Sequence, residues 1–345
     1  MELSSMTKPL LDWYDENRRS MVWRDNPTPY NVWISEIMLQ QTRIEAAKSY
    51  FIRFTDEIPD IQTLATIPEE RLMKLWEGLG YYNRARNLQK AAQLIVEKYD
   101  GQMPAQYDLL LDLPGIGPYT AGAIASIAFG EKAAAVDGNV LRVLTRYLAL
   151  DDDIMKMSFR KQASQALIQV MPERSGDFNQ AIMELGEVVC IPNGAPLCEC
   201  CPLASKCQAR ELGRQGDFPV KTEKKARRIE KRTVLIIECE DKVGICKRPE
   251  TGLLAGLWEF PSLDGYITKQ KCMQMTGALD GEQLEPVKHI FSHVEWHMRG
   301  VHLIIKDTSG MDEWIPNILW VQKKDLDEIY TLPVAFHGFK KQISK

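Results

Sequence analysis

Leu113-Pro-Gly-Ile-Gly-Pro-Tyr-Thr-Ala-Gly122 sets two glycines in a tight turn between a helix ending near Asp112 and another starting near Tyr119. Backbone amides in such a turn, at Gly115 and Gly117, can approach a phosphate closely. Taken alone, Gly-x-Gly is a weak signal that fits a plain helix-turn-helix connection better. Two flanking runs widen the reading. Downstream, Ala135-Val-Asp-Gly-Asn-Val-Leu-Arg142 sets Asp137 between apolar stretches, where an unsatisfied carboxylate would be costly. Asp137 is therefore a helix cap, a functional acid, or both. Upstream, Trp33-Ile-Ser-Glu-Ile-Met-Leu-Gln-Gln-Thr42 reads as an apolar helix interrupted by Glu36. A lone glutamate on such a helix ordinarily marks its exposed face.

Around this centre the texture is helical from Met6 to about Leu212, with apolar residues every three or four positions and breaks at Pro59, Pro68, Gly101, Pro104, Pro114 and Pro172. It then changes. Arg232–Glu238, Lys242–Lys247 and Gly300–Lys306 read as short strands, and Lys323–Tyr330 as a helix. The expectation is a multidomain chain, with an all-α domain over residues 1–212, a basic linker over 213–231 and an α+β domain with a mixed sheet over 232–345. A length of 345 residues agrees with about two domains. The linker carries Lys221, Lys224, Lys225, Arg227 and Arg228, continuing to Lys231 and Arg232, against Glu223 and Glu230, in a chain of net charge −4. Solvation or phosphate contact would each explain it. No apolar run approaches the roughly 20 residues of a membrane helix, and nothing at the start reads as a secretory signal, so a cytoplasmic protein without membrane partners is expected.

Five of eight cysteines fall between Cys190 and Cys207. In a chain with cytosolic character such bunching points to a metal site rather than to disulfides. Cys190, Cys198, Cys201 and Cys207 leave seven, two and five intervening residues, suited to zinc or to an iron-sulfur cluster. Cys200 competes with Cys198 for the second position, and Cys198 keeps the two-residue step to Cys201.

Together these runs resemble the endonuclease III superfamily, and within it the MutY-type adenine DNA glycosylases. The resemblance covers about Leu10 to Phe339, with the motifs in the family's order. It implies a helix-hairpin-helix glycosylase domain, with a cysteine module at 190–207 holding a [4Fe-4S] cluster, followed by a Nudix-like domain. The first cysteine interval is one residue longer than in the family, an insertion that a loop with Pro192, Gly194 and Pro196 absorbs. The resemblance makes Glu36 the acid that protonates adenine and Asp137 the carboxylate that stabilises or bonds to the oxocarbenium-like sugar. Tyr119 would pack or hydrogen-bond beside Asp137, and Asn139 would position water. Bifunctional relatives carry a nucleophilic lysine where Tyr119 stands, and no lysine occurs between Leu113 and Ala128, so a monofunctional glycosylase is expected.

The same resemblance assigns Trp23 and Arg24 to the adenine pocket, with Glu184 a weaker candidate. It places Gln41 and Tyr81, in Gly78-Leu-Gly-Tyr-Tyr-Asn-Arg-Ala-Arg86, inside the duplex near 8-oxoguanine, and gives recognition of that base to Phe291-Ser-His293. Val294 departs from the bulkier residue expected there. No Arg-Glu-x-x-Glu-Glu cluster follows Gly252 to hold magnesium, so the second domain is expected to recognise rather than hydrolyse. The implied partner is double-stranded DNA containing adenine opposite 8-oxoguanine or guanine, bound by a monomer. Competing readings are a nucleotide pyrophosphatase, a non-catalytic lesion binder and a lyase of the endonuclease III type.

Overall fold

The computed structural model describes residues 2–222 and 226–343. Glu223, Lys224 and Lys225 of the basic segment lie outside the described residues. The chain divides into two compact units, one of Met1–Thr66 with Arg86–Glu223, the other of Ile67–Ala85 with Lys224–Lys345. No helix among the described residues is long and apolar enough to cross a membrane.

The first unit is helical. Pro29–Leu39 starts from Thr28, whose hydroxyl accepts the Asn31 amide hydrogen, with Pro29 in the first turn. Its side chains from Val32 to Met38 are all buried, so the helix has no solvent face and Glu36 lies inside. Pro118–Phe129 likewise opens on proline and ends on Gly130 in the left-handed region. Gly138–Tyr147 is amphipathic, with Val140, Leu141, Leu144 and Tyr147 joining Leu10, Phe178, Ile182 and Leu185 in one core. Burying each such aliphatic side chain contributes on the order of 1.5–3 kcal/mol. Two glycines let these elements close up. A Cβ at Gly122 would fall inside the Ala134 carbonyl, and one at Gly186 would sit 2.7 Å from Asn139 Cβ. The strand-like approach to Asp137 is thus pressed against Pro118–Phe129 on one side, and Ser175–Val188 meets Asn139 on the other.

The second unit is built on a seven-stranded sheet: β1 (Arg228–Cys239), β2 (Lys242–Lys247), β3 (Trp258–Glu259), β4 (Ser262–Asp264), β5 (Asp280–Ile290), β6 (Val294–Ile304) and β7 (Leu319–Gln322). β1 and β6 pair in parallel from Arg228 opposite Val294 to Glu238 opposite Ile304, while the remaining pairings are antiparallel. β1 is buried on both faces: Val234 and Ile236 meet Phe260, Trp296 and Phe336, while Leu235 and Ile237 meet Val301 and Leu303.

The architecture differs from the sequence reading in several places. The basic linker ends sooner, because β1 starts at Arg228 and takes Lys231 and Arg232 into the sheet, where Arg232 lies 4.2 Å from the Trp296 ring centre. β5 was not anticipated, since its residues are mostly exposed and polar and its ladder is broken by a bulge between Leu284 and Val287, at Pro286. The helix expected over Lys323–Tyr330 shrinks to Asp325–Glu328. In addition, Ile67–Ala85, inside the expected helical domain, joins the second compact unit.

Candidate active site

Glu36, Tyr119, Asp137 and Asn139 come from three separate helices or their caps and line one cavity of about 530 Å³. That size falls within the range of about 300–1,000 Å³ usual for small-molecule sites. Trp23, Arg24 and Glu184 line it too. The Tyr119 hydroxyl donates to Glu36 Oε2 at 2.6 Å and lies 3.4 Å from Met183 Sδ. Burial pushes the Glu36 carboxyl up to about 7, and the nearby Asp137 charge pushes the same way, while the Tyr119 hydrogen bond and Arg24 oppose them. The Tyr119 phenol is raised well above its ordinary value, chiefly by burial, so it stays a donor.

Asp137 is both cap and half-buried acid. Its Oδ1 accepts from the Val140 backbone at 2.8 Å and its Oδ2 from Asn139 Nδ2 at 2.8 Å. Burial raises its pKa, while the capping hydrogen bonds and Arg142 favour the anion, as does the positive end of the helix it starts. Asn139 is fixed in turn: its Oδ1 accepts from Arg142 Nη2 at 2.8 Å, and Arg142 Nε donates to the Cys190 carbonyl. Arg142 stands in the quoted run, three residues past Asn139, and that helical spacing could have identified it as a partner.

On the far wall Glu184 is buried between two cations, 2.8 Å from Arg24 Nη1 and 3.1 Å from Arg19 Nε. Arg19 was not anticipated, because 165 residues separate it from Glu184 and no local pattern marks the pair. Trp23 is buried and packs edge-on to Phe51 at 5.8 Å. At the hairpin, Gly115 has φ +78° and faces Asn87 too closely for a side chain, whereas Gly117 opens onto free space. Gln41 is exposed at φ 58°. Holding a non-glycine residue there costs on the order of 1–3 kcal/mol, a strain that collects at functional sites.

In the second unit Tyr81, also left-handed at φ 47° and half exposed, has its hydroxyl 3.2 Å from Ser292 Oγ. Phe291 packs edge-on to buried Trp296 at 4.8 Å, the Phe291 backbone donates to the Val294 carbonyl, and Ser292 and His293 are exposed. Val294, the departure noted above, points into the core.

Cys190, Cys198, Cys201 and Cys207 surround a small cavity with Arg146 and Arg210, while Cys200 is exposed and absent from its wall. Arg146 Nη1 donates to Cys190 Sγ at 3.3 Å, and Gln215 Nε2 lies 3.9 Å from Cys198 Sγ. Among the described residues no three potential ligands close on a point as a single ion requires. Four thiols around one cavity, with N–H groups at two of the sulfurs, make a donor set that suits a thiolate-ligated metal centre.

Residues 34–168 match the model of the HhH-GPD superfamily base excision DNA repair protein, and residues 232–342 that of the NUDIX domain. An adenine DNA glycosylase of Homo sapiens is 34% identical over 402 residues, spanning 97% of this chain and 72% of its own length. One of Buchnera aphidicola subsp. Acyrthosiphon pisum is 37% identical over 344 residues, spanning 97% of both. A solved thermostable thymine-DNA glycosylase superposes with a TM-score of 0.55 at 29% identity, covering 60% of this chain and 96% of that one.

Proposed function

Because the chain belongs to the adenine DNA glycosylase family, DNA-binding enzymes of base excision repair that hydrolyse N-glycosidic bonds, we propose that it removes adenine paired with 8-oxoguanine or guanine by a monofunctional reaction. The observation that carries the reading is the buried Glu36 carboxyl, held near 7 by burial and hydrogen-bonded to Tyr119 in the cavity that Asp137 shares.

Adenine leaves poorly as an anion. Protonated Glu36 donates its proton to a ring nitrogen as the C1′–N9 bond breaks, and the bonding electron pair departs on the base. Tyr119 holds the carboxyl so that its other oxygen faces the cavity. The positive charge left on the sugar is offset by Asp137, pre-oriented by Val140 and Asn139. Water adds to C1′ and loses a proton to the Glu36 carboxylate, leaving an abasic site. With Tyr119 at the second residue past Gly117, and no lysine between Leu113 and Ala128, no amine is positioned there to attack the sugar.

Cys190, Cys198, Cys201 and Cys207 would hold a [4Fe-4S] cluster, which supplies a rigid anchor for the 190–207 loop and no step of the hydrolysis. On the opposite strand, Tyr81 and the Phe291–His293 loop would read 8-oxoguanine. The test is incubation with an adenine:8-oxoguanine duplex, with and without borohydride. Adenine release that leaves the strand intact until alkali is added supports the reading. A borohydride-trapped protein–DNA adduct in yield comparable to base release would overturn it.

A further inference from the structure

Tyr81 owes its place beside Ser292 to more than its own contact. It sits four residues beyond Glu77, the C-cap of the helix Glu69–Trp76, at the tip of the turn Gly78-Leu-Gly-Tyr81. Inside the turn, Trp76 Nε1 donates to the Gly80 carbonyl at 3.1 Å, and Arg84 Nη2 donates to the carbonyls of Leu79 and Gly80. The Arg84 guanidinium lies 5.2 Å from the Trp76 ring and 5.7 Å from the Tyr81 ring. The turn is therefore a small rigid body, and its position depends on what grips its base.

That grip comes from the far end of the sequence. Glu77 Oε1 accepts the Leu332 backbone hydrogen at 3.1 Å, and its Oε2 pairs with Lys74 Nζ at 2.7 Å. Lys74 Nζ also donates to the carbonyls of Tyr330 at 3.3 Å and Leu326 at 3.4 Å. His337 Nε2 stands 3.6 Å from Glu77 Oε1 and 2.8 Å from the Leu332 carbonyl. The Lys74 and Glu77 side chains are 12% and 16% exposed, so these contacts are largely sheltered from water, where ion pairs are worth more than on the surface. The segment Ile67–Ala85 is thus bolted to Leu326–His337 of the second unit.

We infer that Lys74 and Glu77 are positioning residues for opposite-base recognition, holding Tyr81 in register with the Phe291–His293 loop. The inference rests on the reading of Tyr81 and that loop as the part that recognises 8-oxoguanine. It assigns to Lys74 and Glu77 no part in bond cleavage.

The test compares single-turnover adenine release from adenine:8-oxoguanine and adenine:guanine duplexes, using the full chain. Its variants are Glu77→Ala, Glu77→Gln, Lys74→Met, Tyr81→Ala and the double variant Glu77→Ala/Tyr81→Ala. The expected result for Glu77→Ala is a fall in the 8-oxoguanine preference of about tenfold, the scale of one lost base–aromatic stack, with the adenine:guanine rate little changed. Tyr81→Ala should lose a similar preference, and the double variant should lose no more than either single one, because both act through the same tip. Glu77→Gln, which keeps the acceptor for Leu332, should recover part of the preference, and Lys74→Met should behave as Glu77→Ala. Equal slowing on both duplexes would mean a merely structural role and overturn the inference. So would an unchanged ratio in a folded variant. A wild-type protein with no preference between the duplexes would instead overturn the recognition reading on which this rests.

Discussion

Glu36 decides the chemistry at the scale of the single residue, and its ionisation has consequences in two observables. A carboxyl raised from 4.5 to about 7 is half protonated near neutrality. Base release should therefore fall about tenfold per pH unit above 7, with the acid limb set by Asp137, which must be ionised. Tyr119→Phe removes the hydrogen bond that favours the Glu36 anion, so the alkaline limb should move to higher pH, read from the pH profile of single-turnover rates. The stability sign follows from linkage. The folded state binds the Glu36 proton more tightly than the unfolded chain does. Stability contributed by this site is thus full below 4.5, is lost as pH rises to about 7, and stays lost above it, a cost on the order of 3 kcal/mol. Glu36→Gln should accordingly raise the melting temperature at pH 8 and not at pH 4, while lowering the rate by roughly 100-fold or more. An unchanged melting temperature at pH 8 would refute the buried-anion picture. The sequence exposed the presence of Glu36 on an apolar helix but not its burial, because periodicity alone could not tell whether that helix has a wet face.

Close approach of backbone governs the scale of the element. Gly122 and Gly186 allow the Asp137 cap to be held between Pro118–Phe129 and Ser175–Val188. Gly122→Ala should destabilise by about 1–3 kcal/mol or more, since a backbone carbonyl and not a side-chain end must move. Thermal melting together with base release would check this, and activity should fall further than the folded fraction. The helices, the Asp137 cap and the strand core of β1 were legible because each repeats a local period. β5 was not, since a bulged, two-sided polar strand carries no alternation, and the grip of Arg19 on Glu184 joins residues too far apart for any local pattern. In the cysteine loop only Cys200 points away from the cavity. Cys200→Ala should keep its iron and visible absorbance whereas Cys198→Ala should lose both, and the reverse result would exchange the two assignments.

For the whole molecule, the sequence reading places one cut between domains at 213–231, whereas Ile67–Ala85 belongs to the compact unit of the C-terminal half. That membership was invisible in sequence because it rests on side chains reaching backbone groups some 250 residues away. Truncation after Thr222 would strip Lys74 and Glu77 of those partners. Limited proteolysis of the truncated chain should then cut in the Gly78–Tyr82 turn, which should resist in the full chain; equal resistance in both would argue against the grip. The account as a whole is tested most directly by single-turnover base release from a duplex with adenine opposite 8-oxoguanine, beside one with cytosine opposite 8-oxoguanine, for wild type and Glu36→Gln. Adenine loss from the first duplex alone, slowed roughly 100-fold or more by Glu36→Gln, is the predicted result; binding without release, or release by Glu36→Gln at the wild-type rate, would contradict it.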